Sequence, residues 1–242
     1  MSKVGGKIII VLALVFSGQV YSQVLMRGKI TYERRTNLYK QFDDERMRKM
    51  IDEKNKIKID NFALYFNDSI STFNYVAPEG GDPMSWMTMK NSVYINWAAD
   101  KREVFYDFWG TSIILQDSTV DRQWKITDKT RMIAGYECTR AIWQKNDTTR
   151  IYAWFTTDIA PTVGPEVIGG LPGAVLGLAT EDGGIVYFAT SVEKVVPTAD
   201  QLARPKTKGK EYTPAALRQE LTEKMKGEPY ADRVIDGIFY WE

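Results

Sequence analysis

The sequence predicts a mainly β protein: a curved antiparallel sheet, a bowl or partly open barrel, with a C-terminal helix packed on it. Three observations carry this expectation. Short stretches of period-two alternation recur from Val24 to Val196, and turn formers such as Asn67-Asp68, Asn146-Asp147 and Asp182-Gly183-Gly184 separate them. Helical spacing with both a start and a stop signal occurs once, after Thr213.

Taken in order, Met26, Gly28, Ile30 and Tyr32 alternate with Arg27, Lys29, Thr31 and Glu33, the pattern of a half-buried strand. Phe42 to Lys54 reads as a short exposed helix, because Asp44/Arg48 and Glu45/Lys49 lie four apart. Period two resumes at Lys56 to Ile59 and changes phase at Asp60-Asn61 before Phe62, Leu64 and Phe66, which predicts a turn or bulge there. Ile70 to Val76 is the returning strand. Ala77 to Met89, with Pro78, Gly80, Gly81 and Pro83, is a long loop suited to contacting a partner. A meander follows: strands around Val93 to Trp97, Val104 to Phe108, Ile113 to Leu115, Trp124 to Ile126, Met132 to Gln144, Arg150 to Thr157 and Ile185 to Val196. Thr213 is an N-cap with Pro214 behind it, Leu217, Leu221 and Met225 form one stripe, and Gly227 stops the helix. Val234 to Trp241 reads as a closing strand or a plug. The count is nine to eleven strands.

Composition narrows the chemistry. Lys plus Arg total 32 and Asp plus Glu 31, so no global field would hold nucleic acid. Histidine is absent, which removes Ser-His-Asp and Cys-His catalysis and the usual zinc sites. Neither a cofactor nor a metal is expected. Cys138 is the single cysteine; on an alternating strand it reads as a small buried apolar residue. Lys3, Lys7, the apolar run Ile8 to Phe16 and Ser22 have the layout of an export signal. The expectation is a cleaved leader over residues 1–22 and a single β-rich domain over 23–242, with no transmembrane segment in the mature chain.

The most distinctive stretch is Gly164 to Leu178, where turn formers and aliphatics alternate closely. Gly164, Pro165, Gly170, Leu171, Pro172 and Gly173 read as a structural motif: a short helical turn from Pro165 to Ile168, two glycines, then a type II turn at Leu171 to Ala174. Glu166 is the one residue there with proton chemistry, either capping that first turn or contacting a partner. The acidic groups Asp43-Asp44-Glu45, Asp158, Glu166 and Glu181-Asp182 could supply the two carboxylates of a glycosidase, a chemistry that needs no histidine. The aromatics could line a sugar- or lipid-binding concavity.

From Trp124 onward the order of short motifs is specific: Trp124-Lys125-Ile126, Gly135 to Ala141, Ala153 to Ile159, Gly164-Pro165 and Gly169 to Gly173. This set, over about residues 124–196, resembles the GLPGLI family of Gram-negative envelope proteins, with Ala174-Val175 in place of the Leu-Ile ending. It is also distantly similar to the bowl-like, non-catalytic N-terminal domain of some peptide N-glycanases. The resemblance implies a periplasmic location, or the periplasmic face of the outer membrane, a β-rich fold and no catalytic residue. The leading expectation is an exported non-enzymatic protein binding another envelope or outer-membrane protein, or an apolar ligand. The alternative is a carbohydrate-active or glycan-binding module using aromatics and carboxylates.

Overall fold

The computed structural model describes residues 24–242 except 43 and 109, so the expected leader over residues 1–22 lies outside the described residues. Twelve strands are present among them. They are β1 (Gly28–Asn37), β2 (Ile57–Phe66), β3 (Ile70–Val76), β4 (Ser92–Asn96), β5 (Lys101–Phe108), β6 (Thr111–Asp117), β7 (Trp124–Ile133), β8 (Tyr136–Asn146), β9 (Thr149–Thr156), β10 (Ala174–Thr180), β11 (Ile185–Glu193) and β12 (Lys210–Tyr212). They form one open sheet in the order β12-β6-β5-β4-β3-β2-β1-β11-β10-β9-β8-β7. Every pair is antiparallel except β12 beside β6. The curved antiparallel sheet is as expected.

Strand β1 is the hub, pairing along its length with β2 on one side and β11 on the other. Register shifts at Thr31/Tyr32, Ile126/Thr130, Gln144/Asn146 and Val175/Gly177 add twist and bend the sheet. The inner face carries the large apolar side chains, including Tyr32, Phe62, Phe66, Phe73 and Tyr187. Phe62 stacks on Phe73 at 4.7 Å between centroids.

Several local expectations change. Residues 56–66 show no break: β2 runs straight from Ile57 to Phe66 in register with β1. Ile57 and Ile59 face outward and are exposed, while Lys58 and Asp60 face inward with Phe62 and Leu64. The change of phase records charged residues on the inner face rather than a bulge. The expected strand from Met132 to Gln144 is two strands, β7 and β8, joined by a tight turn with Ala134 at φ 49 and Gly135 at φ 84. Positive φ at both residues is the type I′ geometry that matches strand twist.

The helix expected over Phe42 to Lys54 is shorter, α2 (Glu45–Met50), and a separate turn of helix, α1 (Leu38–Gln41), precedes it, with Phe42 extended at φ −114 between them. Asn37 and Asp44 cap them, and Leu38, Phe42, Ile51 and Met87 make a small second core. Met87 anchors the 77–89 loop in that core. Near the C-terminus, α3 (Pro214–Lys224) begins as expected, with Thr213 Oγ1 accepting from Ala216 N at 3.3 Å. Val234 to Trp241 is not a closing strand: it lies on a helix, α4 (Ala231–Ile238), and the following residues 239–242, and Ile235, Ile238, Phe239 and Trp241 enter the main core. No helix among the described residues is long and apolar enough to cross a membrane.

Candidate functional site

Residues 157–173 connect β9 to β10 and pack into the inner face; Val163, Val167, Ile168 and Leu171 are buried there. Gly169 has to be glycine, since a Cβ on it would lie 2.6 Å from Trp97 Cη2. Its carbonyl accepts from Trp124 Nε1 at 3.0 Å, which ties the connector to β7. Gly170 turns at φ +81, with its N–H donating to Thr162 Oγ1 at 2.7 Å. The Leu-Pro-Gly stretch does not close with the hydrogen bond of a type II turn: Ala174 N donates to Ile159 O at 3.0 Å, and Gly173 N donates to Leu171 O at 2.7 Å. The bond from two residues on makes a γ-turn about Pro172. Of the motif residues, Gly170 and Pro172 alone are exposed, while Gly164, Pro165, Leu171 and Gly173 are buried.

Glu166 neither caps a helix nor reaches the surface. It sits at φ 57, 4% exposed, with its carboxylate turned inward. Asn91 Nδ2 donates to it at 2.5 Å and the Tyr187 hydroxyl donates to its other oxygen. Arg34 Nη1 lies 3.9 Å away, and Arg34 Nη2 is paired with Asp60 at 2.7 Å. Asp60 also accepts from Thr88 Oγ1 at 2.7 Å and meets Lys58 at 3.0 Å and Lys90 at 3.3 Å. Arg34 is therefore held between two carboxylates, over the ring of Phe62 at 4.8 Å. Burial pushes Glu166 up, against the pull of Arg34, Tyr187 and Asn91. Burial acts on Asp60 in the same sense, but Arg34, Thr88 and Lys90 outweigh it and hold Asp60 far below the usual carboxylate range.

Among the described residues, the acidic groups that could have supplied glycosidase carboxylates serve separate structural roles or face solvent. Asp44 caps α2, Glu181 pairs with Arg150 at 3.1 Å, Asp182 closes the turn before β11, and Asp158 is exposed; Asp43 lies outside the described residues. The two carboxylates brought together, Asp60 and Glu166, are packed under aromatics and the connector rather than lining a cleft. Sequence reasoning missed Asp60, although the change of strand phase there was its signal.

The C-terminal arm fills the rest of the bowl. Tyr106 OH donates to Ile238 O at 2.9 Å, Arg122 Nη2 to Trp241 O at 2.6 Å, and Lys145 Nζ to Phe239 O at 2.8 Å. Trp241 meets Tyr187 edge-on at 5.9 Å. An apolar-ligand carrier would need this concavity open, and it is occupied by the chain itself.

The opposite face of β7 to β11 is different. Cross-strand register places Arg140 beside Trp154, Trp154 beside Gly177 and Gly177 beside Phe188. Arg131 lies over Trp154 at 5.1 Å, Arg140 over Tyr152 at 5.6 Å and Arg35 over Phe188 at 4.8 Å. Three half-buried rings, each with a guanidinium, share one accessible sheet face. Five of the six residues of these pairs, all but Arg35, come from the stretch over about residues 124–196 whose motif order is most specific, and that stretch lies within the part of the chain that matches a known family. Residues 106–217 match the family "N-glycanase peptide, N-terminal domain". No curated protein matches the chain. Among solved structures, PNGF-II in its P21 crystal form is similar with TM-score 0.56 and 21% identity, covering 81% of this chain and 32% of that one. The C2 form gives TM-score 0.55 and 20% identity over 77% and 31%. The likeness is one of fold, and this chain spans about a third of the length of PNGF-II.

Cys138 is fully buried on β8, and burial pushes its thiol up to about 11. Native protein is expected to react with a thiol reagent at pH 8 only as fast as it unfolds, and equal rates with and without denaturant would refute that placement.

Proposed function

We propose that this chain is an exported, non-catalytic module of glycan processing that contacts glycan through the outer face of β7 to β11. The carrying observation is the row of ring and guanidinium pairs at Trp154, Tyr152 and Phe188, lying within the segment similar to the N-glycanase domain. A sugar presents apolar C–H surface and a rim of hydroxyls; a ring with an adjacent fork of N–H donors answers both. The interior carboxylates support the non-catalytic part, since substrate would have to displace the connector to reach them. We further read the chain as a GLPGLI-type envelope protein, on the motif set over 124–196 and the leader over 1–22.

Calorimetric titration of periplasmically recovered protein with an N-glycopeptide tests this, and a first residue of Gln23 would accord with the leader. Binding is expected, with Trp154→Ala weakening it by on the order of thirtyfold, about 2 kcal/mol. Absence of binding, or a Trp154→Ala chain that keeps parental affinity, would overturn the reading.

A further inference from the structure

The outer face of β7 to β11 carries cations as well as rings. Cross-strand register sets Lys125 beside Ile142, Ile142 beside Tyr152 and Arg140 beside Trp154, while Arg131 lies over the same Trp154 ring at 5.1 Å. Lys125 and Arg131 are exposed and Arg140 is half-buried, so all three reach solvent around the rings of Trp154 and Tyr152.

Their charges are unanswered. Acids elsewhere on this face are already engaged: Glu33 with Arg35 at 2.6 Å, Glu193 with Lys29 at 2.8 Å, and Glu181 with Arg150 at 3.1 Å and the Tyr152 hydroxyl at 3.2 Å. Asp128 and Glu137, the acids of β7 and β8, are exposed and form no ion pair among the described residues. Lys125, Arg131 and Arg140 likewise have no carboxylate partner among them.

The hydrogen-bonding capacity of the two arginines is also unspent. A guanidinium lying over a ring contacts it without using its N–H groups, which stay free for an acceptor. The Arg131 guanidinium donates to no group among the described residues, and Arg140 uses only Nε, on Thr127 Oγ1 at 3.3 Å. The ring beneath each guanidinium also limits its freedom, so less side-chain entropy is lost when an anion is held.

We infer that the glycan contacted by this face is an acidic one: a saccharide whose ring packs against Trp154 and Tyr152 and whose carboxylate or sulfate group is held by Arg131 and Arg140, with Lys125 at the margin. This rests on the glycan reading of the face and narrows it to a substrate class. A neutral sugar would leave the excess charge facing water, whereas an acid group accepts paired N–H bonds from a guanidinium fork.

The test is calorimetric titration of the intact protein with a galacturonate oligosaccharide, its methyl ester, and a sulfated galactose oligosaccharide of the same length. The ester keeps the ring and removes the charge, so the comparison needs no variant. The acid is expected to bind at least about tenfold more tightly than the ester, an advantage that added sodium chloride shrinks. Arg131→Gln and Arg140→Gln should each remove most of that advantage, and Arg218→Gln, on α3, should leave it unchanged. Tighter binding of galacturonate than of the sulfated sugar assigns a carboxylate, and the reverse assigns a sulfate ester. Equal affinity for acid and ester, or an advantage that survives both arginine substitutions, overturns this inference; the glycan reading still stands if Trp154→Ala weakens N-glycopeptide binding. Loss of all saccharide binding overturns both. Acid binding that Trp154→Ala leaves unchanged, or tighter binding to phosphatidylglycerol vesicles than to the acid sugar, assigns general attraction to an anionic surface and overturns the inference.

Discussion

Replacing Gly173 with alanine is expected to cost the fold at least about 4 kcal/mol, beyond what most single substitutions do. Two causes coincide. Gly173 sits at φ +138, where an L side chain is strained, and a Cβ built there would lie 2.0 Å from the carbonyl oxygen of Thr156 and 3.1 Å from that of Ile159. Both oxygens are backbone atoms, one at the end of β9 and the other in the connector itself, so neither can rotate away. Relief requires separating the start of β10 from the end of β9, which breaks the Ala174 N to Ile159 O bond and loosens the packing of Leu171. Gly183→Ala is the control. Its φ is +67 but nothing lies within 4 Å of the added carbon, so only the conformational cost applies, about 1–2 kcal/mol. Urea unfolding of both variants separates the causes, and a Gly173→Ala chain no less stable than Gly183→Ala would contradict the packing described for the connector.

Arg34→Met is expected to lower stability by about 3–5 kcal/mol, because it leaves Asp60 and Glu166 buried without the cation between them. Lys58 and Lys90 still face Asp60, so the larger injury falls on Glu166, whose remaining partners are neutral. Glu166→Gln keeps those hydrogen bonds without the charge and should be mild in the parent and partly restorative beside Arg34→Met. The pH dependence has opposite signs for the two acids. Asp60 is held below its unfolded value, so its contribution is complete above about 3.9 and is lost as pH falls through the native value. Glu166 is pushed up, so its contribution is present below about 4.3 and is lost as pH rises through the native value. Denaturation across pH should show the acid-side loss in the parent and a weaker one in Asp60→Asn. An Arg34→Met protein with parental stability would mean the charges are not buried as described.

The strands and their turns could be read directly, because alternation and Asx or Gly pairs act over a few residues: Asn67 closes the β2 to β3 turn with its own side chain, and Thr213 caps α3 as its sequence neighbours require. Readings failed where a distant contact overrode the local pattern. Asp60 breaks the apolar alternation, and locally that looks like a bulge; it is an unbroken strand because Arg34, on the neighbouring strand, faces it. Val234 to Trp241 carries aromatics that suit a strand, yet Ala231–Ile238 is helical because Ile235 and Ile238 then share one buried side. Leu171-Pro172-Gly173 has type II composition, but the donor that turn needs is taken by Ile159.

The sequence by itself determined the class of this protein: a β chain without histidine chemistry, punctuated by turns, with one well-capped helix and a glycine-rich connector that must be shaped backbone. Those properties follow from residue type and near-neighbour spacing. Only the tertiary structure decided that the connector and the C-terminal arm fill the bowl, that Asp60 and Glu166 meet across Arg34, and that rings and arginines line up on the outer face. Burial and pairing of charge depend on groups as far apart in the chain as Arg34 and Glu166, or Arg122 and Trp241, and local pattern carries no record of them.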